Sequence, residues 1–124
     1  MSTPESETLT AYITRIAEDT KAGKIKWIKS NPTTFIYRKT GAQLSLQRIV
    51  QTRVIGVPGG IKRVSTTNYV FQAIELPRSN VKLLINTAEK HAELRPLLDS
   101  LFEAINIDLD REGLDFLKKV IEQE

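Results

Sequence analysis

Cysteine is absent from the 124-residue chain. Its absence excludes disulfide staples, thiolate metal sites and cysteine nucleophiles together. Histidine, tryptophan and methionine occur once each, so imidazole-based metal sites and proton relays have almost no material. No apolar run approaches the roughly 18 residues of a helical membrane span. The start, Met1 to Glu7, carries acids where a secretory leader is basic. The expected setting is the reducing cytoplasm, without a membrane partner. No cofactor is expected, since neither a nucleotide fingerprint nor a metal-ligand spacing is present.

What remains is enough for a core. Hydrophobic residues make up 40% of the chain and charged residues 27%, which places it among globular proteins rather than disordered tails. The length fits a single domain spanning residues 1–124.

Thr3-Pro4-Glu5 offers a helix cap, a proline in the first turn and an acid near the positive end of the dipole. Leu9, Tyr12, Ile13, Ile16 and Thr20 follow at steps of three and four, and Gly23 suits the closing position. Beyond Lys24 the pattern becomes β. Turn signals at Ser30-Asn31-Pro32, Thr40-Gly41, Val57-Pro58-Gly59-Gly60 and Pro77-Arg78-Ser79-Asn80 divide it into strands over 24–29, 34–39, 42–55, 61–76 and 81–85. Leu44, Leu46, Val50 and Val54 alternate with Gln43, Ser45, Gln47, Gln51 and Arg53, as in a half-covered sheet. Arg48 interrupts the apolar face and predicts a bulge or a buried ion pair. No helix-length crossover separates the strands, so a meander is expected.

Helical spacing returns after Asn86, which with Glu89 resembles a capping box. His91, Leu94, Leu98, Leu101 and Ile105 form one stripe, and Pro96 predicts a kink or a new helix start near Arg95. Asp110 is expected to cap a last helix that buries Leu114, Leu117, Val120 and Ile121. The predicted architecture is α+β: an N-terminal helix, an antiparallel sheet of four to five strands with a long central hairpin, and two to three C-terminal helices packed on one face.

The net charge of +3 conceals a division. Residues 1–20 carry −3, residues 21–86 carry +11 and residues 87–124 carry −5. A sheet of that charge attracts phosphate or an acidic surface, unless the acidic helices or a second copy neutralise it. Alternation puts Lys24, Lys26, Arg38 and Arg53 on outward positions, with Lys62 and Arg63 beside the Pro-Gly-Gly turn. These six are the candidate anion or nucleic-acid contacts. Trp27, Tyr37, Tyr69 and Phe71 lie in the same segment, and two roles compete for them: stacking platform or core.

Other motifs are weak. Asp108-Leu109-Asp110-Arg111-Glu112-Gly113 opens like a calcium loop, but Lys119 stands where the bidentate glutamate belongs. The Gly56–Gly60 run has glycines without the Gly-Lys-Ser/Thr ending of a phosphate loop, and a hairpin turn explains them. Ser79 and Lys82 match a Ser-x-x-Lys spacing with no companion motif. His91 with Glu75 would be the acid/base pair of a nuclease-type enzyme, although His91 falls beside an apolar stripe. No catalytic or metal residue is therefore assigned. The first reading is a small non-catalytic interaction module with a protein partner or a second copy as its target. The alternative is nucleic-acid or phosphoanion binding through residues 21–86, and the enzyme ranks third.

Overall fold

Period-two alternation through the middle of the chain builds one antiparallel sheet, and the flanking helical segments supply the layer that covers it. In the computed structural model, which describes residues 4–123, α1 (Pro4–Lys21) leads into β1 (Ile28–Asn31), β2 (Thr34–Lys39), β3 (Ala42–Val57), β4 (Gly60–Glu75) and β5 (Asn80–Asn86). A 3-10 turn (Ala92–Leu94) and α2 (Arg95–Glu122) follow. The strands neighbour one another in chain order and every pair is antiparallel. This is the expected α+β meander with its long central hairpin. The cap expected at Thr3 lies outside the described residues.

Register decides which side chains meet the helices. Phe35, Leu46, Phe71 and Ile85 oppose one another across β2 to β5, and Tyr37, Leu44, Ala73 and Leu83 form the next row. The first row joins the core with Leu9, Ile13 and Ala17 of α1 and Leu98, Leu101, Phe102 and Ile105 of α2, and Tyr37, Leu44 and Leu83 of the second pack against it. The Phe102 ring lies 4.8 Å from Phe35 and 5.9 Å from Tyr69. Burying such a ring contributes about 1.5–3 kcal/mol. Trp27 is buried in the link from α1, and its indole N–H donates to Thr20 Oγ1 at 3.0 Å. Tyr12, expected on the inner stripe of α1, faces solvent instead.

Several local expectations change. The first strand begins at Ile28 rather than Lys24, because Ile25 and Trp27 turn into the core as part of the link. Asn86 caps no helix: its Oδ1 accepts the Ala88 N–H, and its carbonyl accepts those of Glu89 and Lys90. Those bonds close a turn after β5. Arg48 causes no bulge, since β3 and β4 pair without interruption from Ala42–Glu75 to Val57–Gly60. Its guanidinium instead lies 4.3 Å over the Phe102 ring, with Nη1 3.7 Å from Glu103 Oε1. A long side chain can leave an apolar face this way, keeping its stem covered and its charge paired.

The C-terminal segment is one helix rather than two or three. Pro96 sits in its first turn, where a missing N–H costs nothing. Neither Asp110 nor Gly113 ends the helix. An interior glycine costs about 1 kcal/mol, too little to break 28 residues of α-helix.

Candidate interaction surfaces

α2 runs off the body of the protein. Tyr69 donates its hydroxyl proton to Asp99, Phe102 packs on Phe35 and Tyr69, and Lys26 meets Asp108, so the helix crosses from β4 over β2 toward the start of β1. Its buried residues all lie at or before Asp108. The Lys26 ammonium marks the edge of the body, 2.8 Å from Glu112 Oε1 and 3.6 Å from Asp108 Oδ2. Its hydrogen bond to Glu112 outweighs the cost of desolvation and, with the Asp108 charge, raises its pKa above 10.5.

Beyond that ion pair, residues 110–123 are exposed. Leu114, Phe116, Leu117, Val120 and Ile121 are each 50–70% exposed. At about 100° per residue they share one half of the helix circumference with Ile107 and Leu109. Arg111, Glu112, Asp115, Lys118, Lys119 and Glu122 occupy the other half, and Asp110 is the one charge on the apolar side. The burial expected for Leu114, Leu117, Val120 and Ile121 is thus not observed. Their face is turned about 130° around α2 from the one that Leu98, Leu101, Ile105 and Asp108 present to the body, so the chain offers these residues nothing to lie on.

The β3–β4 hairpin also outruns its neighbours. β2 pairs with β3 only as far as Gln47, and β5 with β4 only as far as Val70. Residues 49–68 therefore form a two-stranded arm. Pro58 and Gly59 make its tip, with Gly59 at φ +90°, as the second central position of a type II turn requires. Val50, Val54 and Ile61 continue the helix-facing side of the sheet onto the arm, where they are 58–76% exposed. Arg63 shares that side, opposite Val54, while Arg53 and Lys62 are diagonal neighbours on the other. No acidic residue lies between 49 and 68.

The six candidate cations do not form one patch. Lys26 is engaged by α2. Lys24 borders a cleft of about 390 Å³ with Asp19, Tyr37, Lys39 and Leu44. Arg38 lies on the open sheet face and its Nε–H donates to Gln43 Oε1 at 2.8 Å. Only Arg53 and Lys62 gather, on one face of the arm, with Arg63 on its other face. Among the described residues, Lys26, Arg48 and Lys82 are the cations of 21–86 in ion pairs, so most of the central +11 is not neutralised within the chain. Trp27, Tyr69 and Phe71 are buried and Tyr37 packs partly against the core, which removes them as a stacking platform.

His91 and Glu75 are not brought together. His91 stands at φ +60° before the 3-10 turn, its ring 3.4 Å from Glu93 and 3.9 Å from Glu5. Glu75 ends β4 and pairs with Lys82 at 3.9 Å. The Ser6 hydroxyl donates to Glu93 Oε1 at 2.6 Å and, with a backbone hydrogen bond, holds that carboxyl below its ordinary pKa. Asp108 and Glu112, read as part of a calcium-like run, hold a lysine instead. Among the described residues no group of three or more His, Asp or Glu is arranged to hold a metal ion, and no helix is long and apolar enough to cross a membrane.

Comparison with known proteins adds no relative: no family model, curated protein or solved structure matches the chain.

Proposed function

We propose that the chain is a small non-catalytic interaction module that works by self-association, through the apolar face of α2 beyond Asp110. That face carries the reading. Its five large side chains expose on the order of 600 Å² on one contiguous surface, close to the roughly 800 Å² per partner of a standard interface. An ordinary solvated helix carries polar residues all round or turns its apolar stripe to a core. A second copy is the partner the chain itself supplies, and a two-fold pair presents the same patch from both sides. Charge favours it as well, since the chain joins an acid-free cationic arm to helices rich in acids. The reading includes no cofactor and a cytoplasmic setting.

Light scattering over a concentration series tests it. The mass should rise from 14.0 kDa toward twice that value, and L117D/I121D should stay at the single-chain mass with an unchanged helical spectrum. A wild-type chain that remains at 14.0 kDa throughout refutes the reading.

The arm supports a second reading, binding to a nucleic-acid phosphate backbone. Among the described residues Arg53, Lys62 and Arg63 make no ion pair, and a two-stranded ribbon fits the major groove of a DNA duplex. Three phosphate contacts predict a log–log salt slope near −2.7. Replacing the three cations by Gln should remove it, and weak binding at low salt that ignores the substitution would end this reading.

A further inference from the structure

We infer that in the self-associated form the overhanging half of α2 from one copy lies on the helix-facing side of the β3–β4 arm of the other. The inference rests on the self-association reading and names what the helix covers.

Each chain has a sheet surface without a helix and a helix without a sheet surface. Inside the body, α2 lies over Phe35, Arg48 and Tyr69 of this side of the sheet. The same side then continues as Val50, Val54 and Ile61 with nothing over it. Stable layers form when an apolar helix face and an apolar sheet face meet, and a second copy brings the missing half of each. Lengths agree. Residues 110–122 of a helix span about 20 Å, and β3 from Val50 to Gly56 spans about 20 Å.

Charge agrees too. Asp110 is the single acid within the apolar half of the overhang, and among the described residues it makes no ion pair. Arg63 is the single cation on the apolar side of the arm, beside Val54 and Ile61. When overhang and arm approach from opposite bodies, the root of the helix comes over the tip of the arm. That places Asp110 opposite Arg63 and Ile121 near Val50. A two-fold pair makes this contact twice.

Two variants and their mixture test the arrangement, read as mass by sedimentation with circular dichroism as the folding control. The helix variant is L117D/I121D and the arm variant is V54D/I61D, all at exposed positions. Each alone disables both contacts of a pair, so each should associate at least about 30-fold more weakly than wild type, the loss of one well-packed anchor. In the equimolar mixture, the intact helix of the arm variant meets the intact arm of the helix variant. One contact returns, and the mass should rise again toward twice 14.0 kDa. An arm variant that associates like wild type, beside a helix variant that does not, overturns the inference in favour of helix-to-helix pairing and leaves self-association standing. A mixture that stays monomeric also overturns it. A wild-type chain that never associates removes the underlying reading, and duplex binding lost in the arm variant then assigns the arm to nucleic acid.

Discussion

Two leucines sixteen positions apart on one helix should behave as if they belonged to different proteins. Leu101 is fully buried under the sheet, while Leu117 is 54% exposed on the overhang. Leu101→Ala removes a packed side chain and leaves a cavity, at a cost of about 3 kcal/mol of folding stability. For a domain of this size that lowers Tm by roughly 12 °C. Leu117→Ala in the dilute, monomeric chain should change stability by less than about 0.5 kcal/mol, because little is packed against it and alanine favours a helix. At concentrations where copies associate the order changes. Covering the remaining half of Leu117, on the order of 100 Å² of apolar surface, stabilises each contact by about 2.5 kcal/mol. Its loss should raise the dissociation constant roughly 50-fold per contact. Urea unfolding followed by circular dichroism at low concentration, paired with sedimentation at high concentration, measures both. A loss above about 2 kcal/mol for Leu117→Ala in the dilute chain would show that the overhang packs on its own body, and the account of α2 would fail.

The remaining predictions concern titrating groups. Burial, reinforced by the hydroxyl's donation to Asp99, raises the Tyr69 pKa to about 12. The folded state thus favours the protonated phenol, and the resulting stability is complete below pH 10.0 and lost as pH rises toward 12. In an ultraviolet titration the phenolate component absent from Y69F should have its midpoint near 12; a midpoint at the ordinary tyrosine value contradicts the buried hydrogen bond. Glu93 is shifted the other way, so its contribution is present above pH 4.5 and fades as pH falls below it. Ser6→Ala should flatten that acid limb of the urea midpoint; an unaltered limb would mean the Ser6–Glu93 bond has no influence on it. Lys26→Met should lower the urea midpoint by stranding the carboxylate of Asp108, whose side chain is 4% exposed. Equal midpoints for Lys26→Met and wild type would contradict that role.

The sheet was legible because its rules are local. Alternation at Leu44, Leu46, Val50 and Val54 gave the correct face, and Pro58-Gly59 gave the hairpin. The helical stripe did not reveal where the body stops. Leu98 and Leu117 both belong to runs of three- and four-residue apolar spacing, yet they stand about 100° apart around the helix and only the first faces the sheet. Periodicity reports that a face is apolar, and tertiary extent decides whether the same chain covers it. His91 was misplaced for a related reason: its spacing fits the stripe, but a left-handed backbone at that residue and Pro96 beyond it delay the helix to Arg95. Charge segregation identified the arm's cations as notable without gathering the six candidates, because convergence depends on strand length. β3 and β4 outrun their neighbours by enough to isolate Arg53, Lys62 and Arg63.

Hydrogen exchange along α2 over a protein concentration series tests the central claim most directly. Amides of residues 98–105 lie in the body and should be protected at every concentration. Those of residues 114–121 should exchange fast in the dilute chain and gain protection as copies associate, with the half-point of that gain matching the half-point of the mass increase. Protection on 114–121 that stays low while the mass doubles, or that equals the body's at high dilution, would contradict the claim that the overhanging face is the surface of self-association.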